Sequence, residues 1–197
     1  MSTMNGSNDV LPRCAWARGG DTLYIAYHDG EWGTPSFQDR HLFEMLILEG
    51  FQAGLSWRTI LFKREAFRQA FDGFDPEKVA RYGPEKTDEL MQNQGIVRNR
   101  LKILSAAGNA QAFLSIQKEY GSFSDYLWGW VDKKPVMLES GPVPTKTPLS
   151  DAISFDLKRR GMRFVGSVII YSFLQAVGVV NDHEPGCFRR RSDAQPG

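Results

Sequence analysis

A chain of 197 residues that is 42% hydrophobic and 24% charged has the size and balance of one ordinary soluble domain with a real core. Its net charge of +1 argues against a protein that coats nucleic acid indiscriminately, although a local patch suffices for phosphate contacts. Two cysteines do not make a secreted disulfide framework, which places the chain in the reducing cytoplasm, and no apolar run approaches the roughly 20 residues that cross a bilayer.

Residues 1–12 read as a disordered leader, polar and without the apolar stretch of a signal peptide. From Asp39 to about Glu49 the pattern is helical: Leu42, Phe43, Leu46 and Ile47 form a stripe. Met45 and Leu48 extend it all round, as in a buried helix. Gly50 and Gly54 flank a link to a second helix, Ser56 to Phe71, with Ile60, Leu61, Phe67 and Phe71 inward. Asp75-Pro76 opens a short helix that Gly83-Pro84 ends, and a further helix runs to about Gln94. Gly95 turns the chain into a long helix, Val97 to Tyr120, predicted to face the core through Leu101, Leu104, Phe113 and Ile116.

Residues 133–149, with Pro135, Pro142, Pro144 and Pro148, read as a surface loop. Ser150 or Asp151 is predicted to cap a helix to Arg160, Gly161 to stop it, and Ser167 to Val177 to form a final apolar helix. Strand-type alternation is nearly absent and no segment repeats, so the fold class is all-α. The body, 13–188, is one domain, and 189–197, opening on Arg189, Arg190 and Arg191, is a basic flexible tail. Arg98, Arg100 and Lys102 form a second basic cluster, and Lys158, Arg159, Arg160 and Arg163 a third.

Three constellations carry chemistry. Cys14 lies fourteen positions before His28, and His183 four before Cys187. Two thiolates and two imidazoles suit tetrahedral zinc in a closed, structural site that would staple both chain ends. Two unrelated buried thiols and ordinary histidines are the alternative; His41, at a helix start, is read as a partnerless surface residue. Secondly, Glu49 shares the inward face of Leu42 and Leu46, amid Trp16, Tyr24, Tyr27, Trp32 and Trp57. Aromatic faces around one carboxylate suit a flat cationic ring, while core aromatics with an arginine-paired glutamate are the plain alternative. Thirdly, Gly161 to Gly166 join two helices through a short glycine-bounded turn. Its free amides and Arg163 fit a phosphate, unless it is an ordinary helical corner.

The segments Arg13-Cys14-Ala15-Trp16, Tyr24-Ile25-Ala26-Tyr27-His28-Asp29 and Glu31-Trp32-Gly33 are one part of a wider resemblance. Leu48 to Trp57, Arg159-Arg160-Gly161, Phe164-Val165-Gly166 and Asn181-Asp182-His183 complete it. Over about residues 13–187 the chain resembles the 3-methyladenine DNA glycosylase I family. The resemblance implies an all-α fold of the helix-hairpin-helix glycosylase superfamily, with zinc on Cys14, His28, His183 and Cys187 joining the N- and C-terminal segments. It makes Glu49 the carboxylate that contacts the base, and Trp16, Tyr24, Tyr27, Trp32 and Trp57 the base pocket. Only the leader and the tail depart from the family pattern.

The implied activity is hydrolysis of the N-glycosidic bond of 3-methyladenine in alkylated double-stranded DNA, leaving an abasic site; separately, no heptad or apolar surface patch in the sequence suggests more than a monomer. Adenine methylated at N3 is cationic until it departs as a neutral base, so no strong general acid is required. Flipping the nucleotide out costs a few kcal/mol, and Leu55 is the candidate wedge that fills the gap. Gly161, Arg163 and Gly166 would hold the DNA backbone. Glu49 accepts from the exocyclic amine and favours oxocarbenium character at the sugar. Gln175, Asn181 and Asp182 follow the hairpin, but none matches the aspartate with which this superfamily usually assists water. No lysine lies in the pocket segments, which excludes a Schiff-base lyase. The rivals are a non-catalytic zinc-stapled module that binds DNA damage, and a glycosylase for oxidised or deaminated bases.

Overall fold

The apolar segment after Asp39 folds as a central helix around which the other helices are laid. The computed structural model describes residues 11–138 and 143–190; most of the leader and residues 191–197 of the tail lie outside the described residues. In chain order the helices are α1 (Thr22–Gly30), α2 (Asp39–Gln52), α3 (Trp57–Ala70), α4 (Pro76–Val79) and α5 (Pro84–Gln92). They continue as α6 (Arg100–Tyr120), α7 (Phe123–Gly129), α8 (Pro148–Arg159) and α9 (Ser167–Ala176). Helix α2 packs against α3, α6, α7 and α9, and every residue from Leu42 to Phe51 is buried. A helix apolar on all sides has this one stable place in a helical domain.

Local chemistry sets the boundaries. Ser56 caps α3 by accepting from the Thr59 amide at 3.2 Å, Asp75 caps α4 and Asn99 caps α6. The Asp39 carboxylate accepts from the Phe123 and Ser124 amides, both at 2.8 Å, and so fixes the start of α7 to the start of α2. The structure adds two helices to the sequence reading, α1 and α7. It also adds one parallel strand pair, two residues long, in which β1 (Val136–Met137), inside the proline-rich loop, pairs with β2 (Val180–Asn181), after α9.

Three expectations are corrected. Leu101 and Leu104 are 65% and 49% exposed; the inward stripe of α6 is Ile103, Ala106, Ala110, Phe113 and Ile116. Alanines there permit close approach to α2, so residue size misjudged the face. The cap of α8 is Thr147, one residue before Pro148, in a reciprocal pair with Ser150. His41 has partners: its ring nitrogens meet Ser36 Oγ at 2.8 Å and Glu31 Oε1 at 3.0 Å. At the chain ends, the Phe188 amide donates to the Pro12 carbonyl at 2.8 Å. The Arg190 guanidinium donates to the carbonyls of His183 and Leu138, so the first part of the expected tail is tied to the body.

Candidate active site

The four residues singled out as metal ligands converge although one pair lies near each end of the chain. Cys14, His28, His183 and Cys187 are all buried, and their ligand atoms lie within 4.8 Å of one another. Cys14 Sγ is 3.4 Å from His183 Nδ1, and Cys187 Sγ is 3.4 Å from His28 Nε2 and 3.5 Å from His183 Nδ1. A tetrahedral ion held by thiolates and imidazoles at ordinary bond lengths needs sulfur-to-nitrogen edges of about 3.6 Å, so the set fits a metal.

The outward nitrogens agree with that use. His28 Nδ1 lies 2.8 Å from Asp29, which is itself held by Arg13, and His183 Nε2 lies 3.2 Å from the Trp32 carbonyl. Each ring thereby presents its other nitrogen to the cluster. Burial pushes the Cys14 thiol up to about 12 and the His183 imidazole down to about 4. A cation among them would offset the first, and the second leaves a neutral ring with its lone pair free.

The same histidines buttress a cavity. Trp16 stands edge-on to His28 at 5.1 Å and Trp32 edge-on to His183 at 4.5 Å, while Trp16 also meets Trp32 and Tyr24, each at 5.1 Å. A cavity of about 270 Å³ opens beside them. Trp16, Tyr24, Tyr27, Trp32 and Trp57 line it, and Glu49 of α2 closes it. The structure thus brings together all six residues expected of the base pocket. Helix α1 makes this possible: capped by Asp21, it carries Tyr24 and Tyr27 toward the cavity and His28 toward the cysteine–histidine cluster.

Glu49 is 3% exposed, and its Oε2 is enclosed without a hydrogen-bond partner. Among the described residues no arginine or lysine offsets it; burial alone raises its carboxyl from 4.5 to about 8. Tyr27 beside it is held well above the usual phenol range by burial and then by the Glu49 charge. The Trp57 indole Nε1 is also buried and unpartnered. Native cores rarely leave such groups unsatisfied, and here an enclosed acceptor and an enclosed donor line one aromatic cavity. That arrangement can receive a flat polar ring and favours a positive one.

The expected DNA-binding residues lie outside the cavity. Leu55 is 43% exposed on the short link between α2 and α3, where Gly54 takes a φ of +83°. Gly161, with φ +95°, and Phe164, with φ +55°, shape the turn between α8 and α9; Arg163 is exposed. Gly166 precedes α9, whose N-terminus has no side-chain cap, leaving its first amides open. The Arg163 amide, by contrast, is consumed by Asn109 Oδ1 at 2.8 Å.

The sequence reading gives several further contributors no site role. Gln52, Ser172, Gln175, Asp182 and Glu184 also line the cavity. Buried Lys102 donates to the carbonyls of Phe51 and Ala53 at 2.9 and 2.7 Å, closing the end of α2 and supporting the Leu55 link. Asn109 pins the hairpin from α6 through both the Arg163 amide and its carbonyl. A position beside a candidate metal ligand is the available signal for Asp182 and Glu184, which flank His183. Lys102 and Asn109 carry none, since each acts on a distant backbone.

Residues 16–190 match the model of the methyladenine glycosylase family. The chain belongs to that family. It is 48% identical over 180 residues to DNA-3-methyladenine glycosylase 1 of Escherichia coli (strain K12), covering 90% of this chain and 96% of that protein. The crystal structure of a 3-methyladenine DNA glycosylase I superposes with a TM-score of 0.86 at 49% identity, covering 90% of this chain and 99% of the other. A variant 3-methyladenine DNA glycosylase I crystallised in complex with 3-methyladenine superposes at 0.84 with 39% identity, covering 89% and 97%. The matched residues include those of the aromatic cavity, the turn between α8 and α9, and three of the four clustered Cys and His residues, His28, His183 and Cys187. Among the described residues no helix is long and apolar enough to cross a membrane.

Proposed function

We propose that this chain is a monofunctional DNA glycosylase that hydrolyses the N-glycosidic bond of 3-methyladenine in alkylated double-stranded DNA. It works as a monomer in the reducing cytoplasm and leaves an abasic site. The observation that carries the reading is the Glu49 carboxyl, enclosed by rings and paired with no cation. The family match and the relative crystallised with 3-methyladenine support it.

In this reading the hairpin at Gly161, Arg163 and Gly166 holds one phosphate through open amides and charge. Leu55 enters the stack as the methylated nucleotide turns outward. Tyr24, Tyr27, Trp16, Trp32 and Trp57 receive the ring, and Glu49 accepts from its exocyclic amine. The bond is already weakened, because its electron pair neutralises the departing base. Glu49 stabilises the cationic ground state too, so its main contribution is selection of the lesion. Among the described residues no lysine lines the cavity, and a Schiff-base lyase would need one; the reaction in this reading is simple hydrolysis. The ion held by Cys14, His28, His183 and Cys187 is zinc, with no ligand position left for catalysis. When bound, it fixes the rings behind Trp16 and Trp32.

The test is a panel of duplexes carrying 3-methyladenine, hypoxanthine or 8-oxoguanine, with released base separated by chromatography and strands examined before and after alkali. Release of 3-methyladenine alone, with strands cut only by alkali, is the expected result. Binding without release would leave a damage-binding module, and preference for a neutral lesion would overturn the assignment of the cavity.

A further inference from the structure

Lys102, which the sequence groups with Arg98 and Arg100 as a basic cluster, is turned inward and only 7% exposed. Its ammonium donates to the Phe51 carbonyl at 2.9 Å and the Ala53 carbonyl at 2.7 Å. It also lies 5.9 Å from the centre of the Phe164 ring. Among the described residues no carboxylate pairs with it, and burial holds its pKa below the ordinary lysine value. Closing the last turn of α2 does not require this, because a glycine or an exposed lysine serves a helix end without burying a charge. The ammonium instead stands where three pieces meet. Phe51 belongs to the last turn of α2, Ala53 to the link that carries Leu55, and Phe164 to the turn between α8 and α9. Gly50 lets that turn rest on α2: a side chain there would meet the Phe164 carbonyl oxygen at 3.4 Å.

We infer that Lys102 is a positioning residue for base extrusion: it holds the Leu55 link at a fixed distance from the hairpin, so that wedge and phosphate grip engage one duplex together. The inference rests on the function proposed above and deepens it. Helix α6 supplies the fixed distance. Asn109 lies two turns, about 10 Å, further along the same face of that helix. It holds the hairpin backbone through the Arg163 amide at 2.8 Å and the Arg163 carbonyl at 2.9 Å. Without the ammonium, the link keeps only its own short turn, in which the Leu55 amide donates to the Gln52 carbonyl at 2.6 Å and Gly54 takes a φ of +83°. Such a link yields when Leu55 presses into stacked bases. Ordering it again costs conformational entropy at the step where the nucleotide turns outward. Lys102 does not line the aromatic cavity. Reception of a free base therefore does not depend on it, whereas extrusion does.

The experiment uses the full chain with its metal. Single-turnover excision from N3-methylated duplex is compared for wild type, Lys102→Met, Leu55→Ala and the double variant, beside free 3-methyladenine affinity and metal content. Lys102→Met is expected to lose at least about tenfold in rate, to bind the free base within about twofold of wild type and to keep its metal. Because Lys102 acts through Leu55, the double variant should lose no more than about threefold beyond the larger single loss. The Lys102→Met deficit should also shrink to within about threefold when the lesion lies opposite an abasic position, where less unpairing is required. Lys102→Gln keeps a neutral donor toward the same carbonyls and should show the same coupling with a smaller loss. A Lys102→Met rate equal to wild type, or single losses that multiply in the double variant, overturns the inference. So does a deficit that ignores the opposing base, a free-base affinity that falls with the rate, or failure of both Lys102 variants to fold, each of which leaves only a helix cap. Failure of wild type to release 3-methyladenine from either duplex would instead remove the underlying function.

Discussion

Replacing Glu49 by glutamine should make the protein more stable, increasingly so as pH rises. The structure encloses Oε2 without a partner and holds the carboxyl at about 8 instead of 4.5. The folded protein therefore keeps a proton that the unfolded chain surrenders from about pH 4.5 upward. This contribution to stability is complete below 4.5, is lost progressively as pH rises to about 8, and stays lost beyond. The displacement is worth about 5 kcal/mol at full ionisation, and water entering the cavity beside the carboxylate would reduce it to about 2. A glutamine has no such proton, so Glu49→Gln should match wild type near pH 4.5. By pH 8 it should melt about 5–15 °C higher in a domain of this size. Thermal melts of both proteins at half-unit pH steps read this difference, and groups common to both cancel. Parallel melting-temperature profiles from pH 5 to 8 would refute the claim that the carboxyl is desolvated and unpaired.

Other perturbations separate the parts of the site. Cys187→Ala, or a strong chelator, should remove one ion per chain and several kcal/mol of stability; elemental analysis and near-ultraviolet dichroism of Trp16 and Trp32 check this together. Gly161→Ala places a side chain at φ +95° with open space around it, so the backbone alone is strained, by about 1–2 kcal/mol. It should weaken duplex binding in a gel-shift titration while free 3-methyladenine binds as before. Leu55→Ala removes an exposed side chain and should shift stability by less than about 0.5 kcal/mol. Excision from duplex should fall at least about tenfold, measured beside free-base affinity, which should not change.

The parts legible in the sequence are those whose signal is local. Helix α2 declares itself because its apolar residues leave no polar face, and its burial places Glu49 inside. Cys14, His28, His183 and Cys187 announce metal chemistry by residue type, but their meeting depends on where the two chain ends fall. Helix α1 was hidden because its inward residues are tyrosines and a histidine that serve sites rather than a core stripe. Leu101 and Leu104 misled for the converse reason: large apolar side chains stand outward while Ala106 and Ala110 make the close contact.

Release of free 3-methyladenine from N3-methylated duplex by wild type and Glu49→Gln, in one assay, addresses the central claim most directly. The enclosed carboxylate predicts that wild type liberates the base and that the glutamine protein, folded and metal-loaded, binds the lesion more weakly and so releases base on the order of 100-fold less efficiently at limiting duplex. Equal release by the two proteins would contradict it.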